Sequence, residues 1–254
     1  MQISLAGRRA LITGGSKGLG LAMARRFTES GAKVAIVARS QPALDAARAE
    51  LGCAAIAADI GTAAGCEAAI AGAMAALGGI DILVNNAGTS NRAPFTQVAD
   101  ADWQADLDLK LFGAIRLTRA VWPGMAAQQW GRVINVLNTG AKAPPAGGAP
   151  TAVSRAAGMA LTKILAGEGA PLGILVNAML VGIIESDQWV RRHAQDNRGL
   201  TWEEWKAEQG KPVPLGRIGK AQEFADLACF LASENAGYIT GTAINVDGGR
   251  SPVV

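Results

Sequence analysis

Thr13-Gly14-Gly15-Ser16-Lys17-Gly18-Leu19-Gly20 is the stretch that decides the fold of this 254-residue chain. The apolar run just before it, residues 9–13 (RALIT), reads as a buried strand. The residues that follow, 18–30, read as a helix stopped by Gly31. Glycines at such a junction permit a tight turn and let backbone N–H groups approach a phosphate, while the helix start adds free N–H groups and a positive dipole. A glycine triplet by itself is weak, because turns rich in glycine are common. Its place after a first strand and at the mouth of a helix makes it a dinucleotide-binding loop.

Outward from this loop, short β-type runs alternate with helical stretches. Strands are expected at 33–38, 54–58, 80–84, 131–136, 173–178 and 242–246. Helices are expected at 42–51, 62–77, 151–168 and, as one long element, 102–128. Asn85-Asn86-Ala87-Gly88 reads as a turn after the strand at 80–84. This alternation predicts a Rossmann-type, doubly wound α/β fold: a mostly parallel sheet with helices on both faces and right-handed crossovers. No repeat, linker or charge run divides the chain, so residues 1–254 are expected to form one domain.

Half of the residues are hydrophobic, enough for a full core, and a net charge of +3 with scattered cations gives no case for nucleic acid or a membrane surface. Cys53, Cys66 and Cys229 have no metal-type spacing, and with one histidine in the chain no metal site is expected. The cysteines read as reduced, mostly buried thiols of a cytoplasmic protein. The segment Met1-Gln2-Ile3-Ser4 lacks the charged-then-apolar pattern of a signal peptide, and the longest apolar stretch, 68–80, is too short to span a bilayer.

The end of the second strand selects the dinucleotide. An NAD site usually carries a carboxylate there for the ribose 2′-hydroxyl. This chain instead has Ala38, Arg39 and Ser40, and Lys17 stands in the glycine loop. Two cations and no acid point to the 2′-phosphate of NADP(H).

These pieces resemble the short-chain dehydrogenase/reductase family. The matching segments are Thr13-Gly14-x-x-x-Gly18-x-Gly20, Asp59-Ile60, Asn85-Asn86-Ala87-Gly88, Asp102-Trp103, Gly131-Arg132-Val133-Ile134-Asn135, Val176-Asn177-Ala178, and Tyr238-Ile239-Thr240-Gly241 leading to Val246-Asp247-Gly248-Gly249. The resemblance implies a seven-stranded sheet and a tetramer built through two long central helices, homomeric or mixed. It also implies that Gly14, Ser16, Lys17, Gly18, Leu19 and Gly20 hold the pyrophosphate end of the cofactor. Asp59 and Ile60 would contact the adenine, Asn86 with Ala87 and Gly88 would lie along the cofactor, and Ile183 would approach the nicotinamide amide.

The catalytic positions depart from that pattern. The family is known for a serine after the fifth strand, a tyrosine about thirteen residues later, a lysine four beyond it, and an asparagine on the preceding long helix. Those positions fall on Asn138, Thr151, Arg155 and Lys110. No change of register rescues the tyrosine, because the chain has a single one, Tyr238, near its C-terminus. A threonine hydroxyl is shorter and far less acidic than a phenol, and losing a general acid costs ~10²–10⁴ in rate. Asn138 can still donate to a carbonyl oxygen, and Arg155 keeps a permanent cation. Lys110 has two readings: an ammonium brought close to Arg155 with a depressed pKa, or a lysine that snorkels to solvent or pairs with Asp106 or Asp108. Lys142 and Thr139 are second candidates for a proton donor.

Two functions follow. One is an NADP(H)-dependent oxidoreductase on a carbonyl or alcohol, with a non-standard active site. The alternative is an inactive NADP(H)-binding pseudoenzyme serving as sensor or partner subunit. A lyase resembling halohydrin dehalogenases shares only the arginine at 155, and the intact glycine loop speaks against it. Residues 185–215 are expected to form a lid, with Trp189, Trp202 and Trp205 either facing a substrate with some apolar surface or packing the lid onto the body. His193 reads as a surface histidine.

Overall fold

The computed structural model describes residues 3–254. Its centre is a seven-stranded parallel sheet in the order β3-β2-β1-β4-β6-β8-β9. The strands are β1 (Arg9–Thr13), β2 (Lys33–Ala38), β3 (Ala54–Ala57), β4 (Ile82–Asn85), β6 (Gly131–Asn138), β8 (Ile174–Val181) and β9 (Ala243–Val246). The order reverses between β1 and β4, and at such a switch point the strand C-termini open a crevice for ligand.

Alternate strand residues serve opposite faces. Ala10 and Ile12 of β1 join α1 (Gly18–Glu29), α2 (Gln41–Leu51) and α9 (Ala221–Ala232) in one core, through Met23, Phe27, Leu44 and Phe224. Leu11 points the other way, into a core with Cys66 and Ala69 of α3 (Ala63–Leu77) and Leu117 and Val121 of α5 (Gly113–Ala127). The three cysteines are free and buried, and burial pushes all three thiols up. Among the described residues no helix is long and apolar enough to cross a membrane, and no cluster of His, Cys, Asp or Glu could hold a metal ion.

Several boundaries differ from the sequence reading, each for a physical reason. The strand expected at 80–84 runs Ile82–Asn85, because the Asp81 carboxylate is engaged below the sheet by Arg9 and Gln128. The expected helix at 102–128 is three pieces: α4 (Asp100–Leu107), a π-helical turn (Asp108–Phe112) and α5. Residues 221–232, given no element from sequence, form α9, whose buried Phe224, Ala225, Ala228 and Leu231 follow a helical repeat. A two-residue antiparallel pairing of β5 (Arg92–Ala93) with β7 (Ala149–Pro150) ties the loop after β4 to the start of α6 (Thr151–Gly169). Contacts of such short strands leave no trace in a local pattern.

Candidate active site

The glycine loop is shaped by close approach. Gly14 sits at φ +64°, and a Cβ on Gly20 would lie 2.1 Å from the Gly14 carbonyl oxygen. Any side chain at 20 would therefore push α1 away from the loop that precedes it. Helix α1 has no side-chain N-cap and no acid in its first turn, leaving its starting N–H groups and dipole to a ligand. Thr13 fixes the opposite wall: its hydroxyl accepts from the N–H groups of Asn86 (2.9 Å) and Ala87 (3.0 Å). The Asn86 amide donates to the carbonyls of Thr13 (2.8 Å) and Gly14 (3.3 Å). Asn86 thus staples the turn after β4 to the glycine loop, besides lining the cleft.

A single cleft of about 1580 Å³ runs along the C-terminal ends of the strands. Its wall includes Gly14, Ser16, Lys17, Gly18, Leu19 and Gly20 at one end, then Arg39, Asp59, Ile60, Asn86, Ala87 and Gly88, and finally Asn138, Thr151, Arg155 and Ile183. Every cofactor position expected from sequence therefore lines it. Arg39 is exposed and reaches only a long ion pair with Asp59, 4.0 Å. A cradle of glycines, a free helix start and an available guanidinium at the β2 end suit a dinucleotide with phosphates at both places.

The four replaced positions separate into two pairs. Lys110 is buried, with no exposed side-chain surface, and its Nζ donates to the Asp106 carboxylate and to Thr151 Oγ1 (2.8 Å). The π-helical turn that carries Lys110 inserts an extra residue and turns it inward, toward α6. Each reading holds in part: Lys110 pairs with Asp106 instead of snorkelling, and it also carries the depressed pKa beside Arg155. Burial pulls Lys110 down to about 8, with the Arg155 charge adding to the fall and Asp106 opposing it. Thr151 is saturated: it donates to Asn91 O (2.7 Å) and accepts from Asn91 N–H (3.0 Å) and from Lys110. Ser154, not singled out from sequence, donates to the other Asp106 oxygen at 2.6 Å. Asp106, in sequence one of two candidate partners for Lys110, is the hub of this buried cluster.

Asn138 and Arg155 face the cleft. Arg155 Nη1 donates to the Val136 carbonyl at 2.8 Å, two residues before Asn138 on β6. The other terminal nitrogen lies over Gly88, where a Cβ would come within 2.3 Å of it. Burial lowers Arg155 to about 10, which leaves it charged at neutral pH. The Asn138 side-chain oxygen is buried without a protein partner. Lys142 is turned away from the cleft, off its wall, with its Nζ donating to Ala243 O at 2.6 Å; Thr139 does line it.

The lid consists of α7 (Asp187–Ala194) and α8 (Trp202–Gly210). Ser186 and Asp187 lie over Gly18, about 3.5 Å from where its Cβ would be. Trp202 and Trp205 stack at 5.6 Å and Trp205 is buried, so these two hold the lid together. Trp189 lines the cleft. His193 is not a free surface residue: it packs edge-on against Trp202 and Trp205, and its Nε2 lies 2.9 Å from Leu200 O.

Residues 14–251 match the family model described as enoyl-(acyl carrier protein) reductase. The chain is 35% identical over 244 residues to an acetoacetyl-CoA reductase of Shinella zoogloeoides, covering 96% of this chain and 98% of that one. The chain belongs to the short-chain dehydrogenase/reductase family. The L-sorbose reductase of Gluconobacter frateurii, solved with NADPH and L-sorbose, superposes with a TM-score of 0.93 at 33% identity over the full length of both chains. A short-chain oxidoreductase of Pseudomonas aeruginosa PAO1, described as containing an atypical catalytic center, gives a TM-score of 0.92 at 36% identity, covering 99% of this chain and 100% of that one. Membership makes this short-chain dehydrogenase/reductase an oxidoreductase of the carbonyl/alcohol class working with a nicotinamide cofactor.

Proposed function

We propose that this protein is an NADP(H)-dependent oxidoreductase whose active centre is rebuilt around Arg155 and Asn138. The observation that carries the reading is one continuous cleft joining the glycine loop and Arg39 to those two side chains. Arg39 and Lys17 supply cations for a 2′-phosphate, with no acid at the end of β2 to favour a free ribose hydroxyl. A nicotinamide cofactor held along the glycine loop, Asn86 and Ile183 would supply or take up the hydride at the carbonyl or alcohol carbon. Asn138 donates its amide to the substrate oxygen, and the Arg155 guanidinium stabilises negative charge growing there. In the reducing direction that oxygen must gain a proton. Thr151 has its own proton committed to Asn91 O, and Lys110 Nζ is sealed beneath the cleft wall, so water in the open cleft delivers it.

The same saturation of Thr151 and enclosure of Lys110 favours a second reading, a nucleotide-binding sensor or partner subunit without turnover. Nucleotide fluorescence titration separates the possibilities. NADPH binding tighter than NADH, with NADPH consumed by a carbonyl panel, supports the oxidoreductase. Binding without consumption selects the second reading, and no micromolar binding of either nucleotide refutes both. The outward apolar side chains Phe112, Val153 and Ile164, on the central helices, support a homotetramer, which light scattering tests.

A further inference from the structure

Arg155 has a capacity for binding that the protein itself does not use. A guanidinium offers five N–H donors in a planar fork, and one of these is taken, by Val136 O. No acidic side chain forms an ion pair with it among the described residues. The acid that acts on it from a distance is Asp106, already engaged by Lys110 and Ser154. Two residues beyond Val136 on β6, Asn138 holds an amide whose oxygen is buried and unpartnered. A χ2 turn exchanges the oxygen and nitrogen of that amide, so it can meet an acceptor as readily as a donor. A half-buried guanidinium with no ion-pair partner among the described residues, on the same cleft wall as an idle amide, is a site suited to an anion.

The rest of the cleft has the same sign. Arg92, Arg192 and Arg250 also line it, and among the described residues none has a carboxylate partner. Of the two acids on the wall, Asp187 pairs with Arg191, and Asp59 lies at the far, β2 end of the cleft, 4.0 Å from Arg39. A cleft edged in one sign of charge draws oppositely charged ligands toward its floor.

Resting on the oxidoreductase reading above, we propose that the substrate is an oxo or hydroxy acid whose carboxylate is gripped by Arg155, with the adjacent reacting oxygen against Asn138. Carboxylate and guanidinium match as two parallel hydrogen bonds. The pairing orients the neighbouring carbon and gives the half-buried cation a counter-charge.

The test is calorimetric titration of the purified protein, with and without NADP⁺, using 2-oxo-4-phenylbutanoate and its ethyl ester. The acid should bind at least about tenfold more tightly than the ester. Arg155→Met should bring the ratio to about one and Arg155→Lys should keep part of it, with melting curves showing both variants folded. Asn138→Ala should weaken acid and ester alike, since both carry the oxo group. Equal affinity for acid and ester overturns the proposal, as does a ratio that survives Arg155→Met, or failure of both ligands to bind. A protein that binds no NADPH refutes the dinucleotide reading instead, and the acid preference measured without nucleotide still decides this one.

Discussion

The buried pair of Lys110 and Asp106 should be structural, and a double-mutant cycle can show it. Lys110→Met leaves the Asp106 carboxylate enclosed with the Ser154 hydroxyl as its remaining donor. Removing one partner of a buried ion pair costs about 3–5 kcal/mol, whereas replacing both with apolar groups is often neutral. For a chain of this size each kcal/mol is worth about 2–4 °C in Tm, so Lys110→Met and Asp106→Leu should each melt roughly 6–20 °C early. The double variant should recover most of that loss, and any turnover lost in Lys110→Met should return with it. Scanning calorimetry at pH 7 and an NADPH assay on the same samples read both. A Lys110→Met protein melting within about 2 °C of wild type would refute the structural role. Turnover that stays absent in a stable double variant would instead make Lys110 the proton donor.

The same lysine sets a pH signature. Its folded pKa lies near 8, while an unfolded lysine titrates near ~10.4. Between those values the unfolded chain holds a proton that the folded one has released, so stability rises with pH across that window, by up to about 3 kcal/mol. Below pH 8 both states are protonated and this contribution is flat. Other groups titrate above pH 8 as well, so the quantity to measure is wild-type stability minus that of Lys110→Met. A difference that stays level from pH 8 to 10.5 would show that Lys110 is not depressed.

Three further outcomes follow from the cleft. Gly20→Ala, whose Cβ would press on the Gly14 carbonyl, should abolish micromolar binding of both nucleotides; unaltered binding would remove the glycine loop from the site. Arg39→Ala should raise the Kd for NADPH about tenfold and leave that for NADH nearly unchanged. An equal change for both would break the 2′-phosphate assignment. Thr151→Tyr with Arg155→Lys should yield or raise carbonyl turnover, and adding Asn138→Ser should raise it further, as followed by NADPH absorbance. No gain in the folded triple variant would show that more than a proton donor is missing.

Much of the fold was legible because its signals are local. Strand, glycine turn and helix follow one another within residues 9–29, and each later strand of the seven-stranded sheet is a short apolar run. The cofactor wall was legible for the same reason, since its residues come from strand ends and the loops that follow them. α9 carried its own helical repeat at Phe224, Ala225, Ala228 and Leu231, a readable pattern left unassigned. The buried cluster was not legible. Asp106 on α4, Lys110 on the π-helical turn, and Thr151 and Ser154 on α6 are far apart in the chain, and that turn sets which way Lys110 faces. Nothing in a one-dimensional spacing announces that turn.

The substitutions are also coupled to one another, which no position read singly reveals. A threonine at 151 is short enough to be enclosed, and its hydroxyl becomes a partner for the Lys110 ammonium and for the Asn91 backbone. That enclosure needs Asp106 to balance the lysine, and Ser154 to fill the second carboxylate oxygen. Arg155, relieved of a tyrosine to assist, lies over Gly88 and turns its fork to the cleft, where a Cβ at 88 would displace it. Lys110 and Arg155 then repel across the wall, which is one reason the lysine's pKa falls. An anion on Arg155 would offset that repulsion. Lys110 should therefore titrate higher in the ligand-bound protein than in the free one, and the pH at which stability begins to rise should move up when the acid probe is present.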